Sequence, residues 1–291
     1  MTELTPCWAK LVRTRTLMRE LIDLQAKRET EEPYSFELVD NNEDSADRWI
    51  RLQWRVKINT PYPPDAAWIL GDIVHNLRSS LDNALFHIVT EINGHTPSDS
   101  EARQIQYPID DTPELFRRHI KKLGKWLTPE QCELIEATQP FAASGEPNDE
   151  FRMMSILRDL SNTDKHRQLI VADRALVRAN FEHDADHLEA LTITQHDARM
   201  VDGAAVLTVK FRRPYDNLDI MLQPRFENTT FIFHPAHTPL PLALSLELIY
   251  DEVFDAVLGL TKEHMTTHDD YIAVKFIEGA EERRAVLRKT L

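Results

Sequence analysis

The feature that most constrains the fold is a change of hydrophobic period along the chain. Up to about residue 166 apolar residues recur at helical spacing; from 167 to 238 β-branched and aromatic residues alternate with polar turns; from 239 the helical spacing returns. Periods segregated in this way predict an α+β fold: a helical N-terminal half with a β-hairpin, then an antiparallel sheet, then closing C-terminal helices. No flexible linker interrupts the 291 residues, so a single domain over 1–291 is expected.

Within that frame, Trp8, Leu11, Met18, Leu21 and Ile22 place a helix over 5–30. "YSFELV" and "RWIRLQWRVKI" read as two strands around the polar loop "DNNEDSAD". The proline-rich "NTPYPPDA" reads as a rigid lead-in to the next helix. Thr112-Pro113-Glu114 and Thr128-Pro129-Glu130-Gln131 each look like a capped helix start, the second as a capping box, with Gly124 ending the first helix. A further helix is expected from Asp149 to Asn162. The strand-like runs after His166 predict an antiparallel meander that the N-terminal hairpin could extend.

Composition removes several function classes. Seven glycines against 16 prolines, with no G-x-G-x-x-G and no P-loop, argue against a dinucleotide or nucleoside-triphosphate cradle. A net charge of −14 argues against a protein that coats DNA, although cations do concentrate at Lys10–Lys27, Arg117–Lys125 and Lys165–Arg178. Cys7 and Cys132 belong to no C-x-x-C pair, so neither a disulfide framework nor a cysteine zinc site is expected. The N-terminal stretch lacks the apolar run of a secretion signal, and no run of apolar residues is long enough to span a bilayer. The expected location is the cytoplasm, with no membrane partner.

The most informative stretch is "GDIVHNLRSSLDNALFHIV", Gly71–Val89. On a helix, Ile73, Val74, Leu77, Leu81, Ala84, Leu85 and Ile88 form one apolar sector. Opposite them lie Asp72, His75, Asn76, Arg78, Ser79, Asp82, Asn83 and His87. A face chosen only for solubility would carry Glu, Lys and Gln. Short polar groups are poorer helix formers, because they compete for the backbone. They suit a surface that lies against another element or a ligand. His75, Arg78 and Asp82 stand in a row at i, i+3 and i+7. Arg78 and Asp82 can pair, and histidine is the side chain type that exchanges a proton near neutral pH.

A second polar group, Asn162, Asp164, Lys165, His166 and Arg167 in "LSNTDKHRQLI", sits at the helix-to-strand junction. Continued as a helix, Asp164 and Arg167 would reach the apolar side, where unpaired charges are costly. Either the helix stops near Asn162 or these groups find partners at the rim of the core. The economical expectation is that the two groups face each other, with Asp72 or Asp82 near Lys165 or Arg167 and His75 near His166. This juxtaposition has two meanings: a cleft that binds an anion, or an ionic clasp between helices.

The pattern Gly-Asp-x-x-His-Asn-Leu-Arg-Ser-x-Leu-Asp at 71–82, with Asn-x-Asp-Lys-His-Arg at 162–167 and "IEATQPF" at 135–141, resembles a group of uncharacterised bacterial proteins over about residues 60–170. The chain also resembles the HEPN ribonucleases, helical bundles with Arg-x(4–6)-His on one helix. That resemblance implies RNA or a nucleotide as ligand, metal-independent cleavage and a homodimer. Here Asn83 stands five positions after Arg78 and His87 nine, so His75 or His166 would supply the imidazole. The expected site is then His75, Arg78, Asp82 and His166 for chemistry, with Asp72, Asn76, Ser79, Asn162, Lys165 and Arg167 holding the ligand, and no cofactor or metal. Arg78, Lys165 and Arg167 would repel a cation. His183/His187 and His264/His268, spaced i, i+4, and His234 with His237, read as solvated loop residues. The competing expectation is a non-enzymatic interaction or regulatory protein in which the same residues form an internal clasp.

Overall fold

The computed structural model describes residues 5–44, 49–142, 153–166, 174–182, 190–196, 201–212, 223–234 and 237–290. The protein is α+β, with helices on either side of a β-rich segment. Helix α1 (Pro6–Glu29) runs beside α2 (Pro64–His87), and both pack with α6 (Met153–His166) and α7 (Leu242–Thr261) around one apolar core. Ile73, Val74, Leu77, Leu81, Ala84 and Leu85 of α2, and Ile88 just past its end, are all fully buried in it. Burying a large aliphatic side chain stabilises by about 1.5–3 kcal/mol, so this sector fixes α2 in place whatever its polar flank does. In α1, Trp8, Leu11, Met18 and Leu21 are buried and Ile22 is exposed. Trp8 meets Phe254 edge-on and donates its indole N–H to Thr261 at 3.3 Å.

Helix α2 begins at Pro64, inside the expected lead-in. Proline has no N–H to lose at the first helical position, so the proline-rich stretch starts the helix instead of preceding it. After His87 the helix widens into a single π turn, Ile88–Ile92, and Asn93 closes it by donating to the Trp126 carbonyl at 2.7 Å. Gly94 then turns the chain with φ +67°, a backbone angle that favours glycine. Three short helices follow: α3 (Asp99–Ala102), α4 (Pro113–Leu123) and α5 (Pro129–Ala137). Thr112 caps α4, the Thr128/Gln131 capping box starts α5, and Gly124 ends α4, as the residues predict. Helix α6 continues to His166, so Asn162, Asp164, Lys165 and His166 of the second polar group belong to its C-terminal end.

The β-rich segment departs from a meander. Strands β1 (Tyr34–Asp44), β2 (Trp49–Ile58), β4 (Ala190–Gln195) and β5 (Ala205–Arg212) form one antiparallel sheet in the order β1-β2-β5-β4. Strands β3 (Arg174–Glu182), β6 (Gln223–His234) and β7 (His237–Pro241) form a second, in the order β3-β6-β7. The N-terminal hairpin therefore does join the later strands, through β2 and β5. Strand β1 extends into the expected loop as far as Asp44, with a bulge between Leu38 and Asp40. Its polar end lies on a sheet edge, where charged residues are tolerated and discourage further pairing. Ile50, Leu52, Trp54 and Val56 of β2 pack with Val206, Leu207, Val209 and Phe211 into a separate core, and Phe36 stacks on Phe226 of the second sheet at 3.9 Å. His234 and His237 lie in β6 and β7 and pair in register, a correction to their expected loop position. The C-terminal helix is α8 (Thr267–Thr290). Among the described residues no helix is long and apolar enough to cross a membrane.

Candidate functional site

The polar flank of α2 is covered along only part of its length. Arg78 donates through Nε and Nη2 to Asp82 at 3.3 and 3.0 Å, and through Nη2 to the Tyr107 carbonyl at 2.6 Å. The Tyr107 N–H donates back to Asp82 Oδ1 at 2.8 Å. The i, i+4 pair expected from sequence is thus also a clamp on the segment between α3 and α4. That segment is fixed again farther on. The buried Gln139 amide accepts from the Asp110 N–H at 2.9 Å and donates to the Pro108 carbonyl at 2.9 Å. The Tyr107 side chain fills the core, with its hydroxyl bonded to that of Thr138, and burial pushes its pKa up to about 12. The phenol therefore stays neutral, and Tyr107 serves as an anchor.

Between this segment, α2, α4 and α6 lies a cavity of about 540 Å³. Arg78 enters it from α2, His119 and Lys122 from α4, and Arg158 and Asn162 from α6, with Asp110 on the connecting segment. Nδ1 of His119 is 2.8 Å from Oδ2 of Asp110, whose side chain is only 6% exposed against 49% for the imidazole. A carboxylate that accepts this bond places its proton on Nδ1, so in the neutral imidazole Nε2 is the acceptor. Arg158 donates Nε to Asp159 at 2.8 Å and Nη1 to Asp111 at 2.7 Å. Nη1 of Arg78 and Nη2 of Arg158 enter none of these bonds. Each guanidinium is thus oriented by carboxylates yet keeps donor capacity.

The residues expected to form the site are only partly brought together. Arg78 and Asn162 share the cavity, which joins one member of each polar group. Asp82 acts behind Arg78. His75 and Asp72 are exposed, and His75 Nε2 lies 3.4 Å from the half-buried Ser79 hydroxyl. Asn76, expected on the polar flank, is buried at 8% exposure and spends its amide on the Asp72 carbonyl one turn back, at 2.7 Å. Lys165 and His166 belong to α6, but their side chains, like that of Asp164 and all of Arg167, lie outside the described residues. His183 and His187 do so as well. His264 and His268 are exposed, while neighbouring Asp269 is buried and accepts from the Thr5 N–H at 3.0 Å, tying the start of α1 to the start of α8. Among the described residues no three His, Cys, Asp or Glu side chains gather as a metal-holding group.

Sequence reasoning missed Asp110, His119 and Arg158. The basic run at 117–125 and the strong cap at Thr112 were visible. The Asp110–His119 contact crosses that cap and is made only when α4 folds back on the connecting segment. None of the family models, curated proteins and solved structures compared with the chain matches it.

Proposed function

We propose that the cavity between α2, α4 and α6 binds a phosphate-containing anion and that His119 exchanges the proton when the ligand reacts. The observation that carries this reading is an imidazole held by a buried carboxylate in the same cavity as two guanidiniums that each keep a terminal nitrogen outside any hydrogen bond among the described residues. His119 takes the part expected of His75, which is exposed outside the cavity lining. Arg78 and Arg158 would hold non-bridging phosphate oxygens; Lys122 and Asn162 would close the rim.

RNA cleavage without metal is the finer form of the proposal. Nε2 of His119 would take the 2′-hydroxyl proton, the 2′-oxygen would attack the adjoining phosphorus, and the bond to the 5′-oxygen would break. The same proton would pass from His119 to that leaving oxygen, giving a cyclic phosphate and a 5′-hydroxyl. Turnover of a short RNA by wild type and His119→Ala, with melting temperatures alongside, tests this. A loss of roughly 100-fold or more at unchanged melting temperature is expected for a proton-transfer group. Equal turnover by both proteins would overturn it.

The clamp itself favours a second reading, an internal clasp in a non-enzymatic interaction protein, because Asp82 and the Tyr107 carbonyl already occupy Nε and Nη2 of Arg78. Arg78→Ala with a large drop in melting temperature and unchanged ligand binding would support the clasp.

A further inference from the structure

Helix α4 carries a charge pattern that the cavity does not use. Phe116 and Leu123 are buried, and Ile120 packs half-buried on the same core. At about 100° per residue these three form one narrow sector. The rest of the helix turns cations outward: Arg117, Arg118, Lys121 and Lys122 are exposed, and Lys125 follows just past the helix end. The sequence as a whole holds 34 Lys and Arg against 48 Asp and Glu, so this run opposes the general charge.

Few of these cations have partners. Arg117 lies 3.6 Å from Glu114, with both side chains 70% exposed. Lys125 donates to Glu101 at 2.8 Å, and that bond, with the Ser98 backbone and hydroxyl, draws the Glu101 carboxyl down to about 2. Arg118, Lys121 and Lys122 make no ion pair among the described residues. Lysines in the last turn complement the helix dipole, which accounts for Lys121 and Lys122 locally. It does not account for Arg117 and Arg118 in the middle of the helix. Around the helix, His119 borders the apolar sector and Lys122 follows it, both lining the cavity; Arg118 lies opposite the sector, and Lys121 and then Arg117 carry the cations round to its far flank.

From this we infer that the ligand is a linear chain of phosphates, part in the cavity and part along the exposed face of α4. The inference rests on reading the cavity as a phosphate site. A compact anion would need only the cavity; a chain has further charges to place, and α4 supplies cations in continuity with Lys122. No exposed Phe, Tyr or Trp lies on α4 beside these cations for bases to stack on, so the contact is with phosphates and is independent of base identity.

The test uses the full chain and the triple variant Arg117→Ala, Arg118→Ala, Lys121→Ala, none of which lines the cavity. Labelled oligouridylate and oligothymidylate of about 12 nucleotides, and inorganic polyphosphate as competitor, are titrated at several salt concentrations. Inorganic phosphate is titrated by calorimetry. The inference expects the variant to lose roughly tenfold in oligomer affinity at low salt. The slope of log affinity against log salt should shrink by about 2, at roughly 0.7 per lost phosphate contact. Phosphate binding and melting temperature should stay at wild-type values. Tighter binding of oligouridylate identifies RNA as the source of the chain; equal competition by polyphosphate identifies phosphate spacing alone. Unchanged oligomer affinity and slope in the variant would overturn the inference. Equally tight binding of polyglutamate would overturn it in favour of an acidic protein partner. Phosphate binding that survives Arg158→Ala would instead overturn the cavity reading, whatever α4 does.

Discussion

Arg15 and Arg158 each meet two carboxylates, in contrasting surroundings. Arg15 of α1 reaches Glu247 at 2.6 Å and Asp251 at 4.0 Å on α7. Its guanidinium lies 3.8 Å over the Tyr250 ring and 4.8 Å from the Phe276 ring. The two rings pack over it, and its side chain is only 17% exposed. Arg158 of α6 meets Asp111 and Asp159 at the edge of an open cavity that also holds His119 and Arg78. The same ionic chemistry therefore serves as a fastening where it is packed over and as a candidate site where space remains in front of it. Charged residues alone do not separate the two; the volume beside them does.

Substitution should pull the two clusters apart. The largest effect on stability is expected from Arg15→Ala, which leaves acidic partners and two rings without their cation: about 3 kcal/mol by denaturant unfolding, with anion affinity unchanged. A loss below 1 kcal/mol would remove the distinction. Asp82→Ala should come next, at about 2 kcal/mol, because Arg78 and the Tyr107 N–H both lose their acceptor. Arg158→Ala should show the reverse of Arg15→Ala: under about 1 kcal/mol of stability, as for a partly exposed pair, but at least tenfold weaker phosphate binding by calorimetry.

A smaller, pH-dependent effect is expected where α7 meets the start of α6. Glu252 accepts from the Met154 N–H at 3.0 Å. Burial pushes its carboxyl up to about 7, against the Met154 and Met153 N–H groups, and Asp255 adds to the rise. Because the folded pKa lies above the ordinary 4.5, the folded state holds this proton more tightly than the unfolded chain. Its contribution is complete below pH 4.5 and is lost as pH rises through about 7. Glu252→Gln keeps an acceptor for Met154 and removes that loss. The variant should match wild type near pH 4.5 and exceed it at pH 8 by at least about 1 kcal/mol, the equivalent of one pKa unit, in thermal or denaturant melts. Parallel stability curves for the two proteins would contradict the assignment. The smallest effect is expected at His75→Ala, within about 0.5 kcal/mol and with no change in phosphate affinity, since that ring is exposed outside the cavity.

What could be read from the sequence was what is local. The 3.6-residue period named the buried apolar residues from Ile73 to Ile88, though it left Asn76 on the polar side, and threonine-proline pairs marked the starts of α4 and α5. The short polar residues of α2 pointed correctly to a covering element at Arg78 and Asp82. They misled at His75 and Asp72, because the covering segment 107–110 reaches only part of the flank, and its extent is a tertiary fact. The exchange of a meander for two sheets has the same origin. β2 pairs with β5, far along the chain, and strand order leaves no trace in alternation. Asp110 and His119 were hidden because their side chains meet only after the chain reverses at Thr112.

The most direct test of the cavity as the functional site is an NMR titration of the histidine side chains with inorganic phosphate, in wild type and in Arg158→Ala. Saturable shifts are expected at the His119 ring, none at His75, and loss of the His119 response in the variant. A response at His75 instead, or no response at His119 at phosphate concentrations that shift other residues, would contradict the cavity as the functional site.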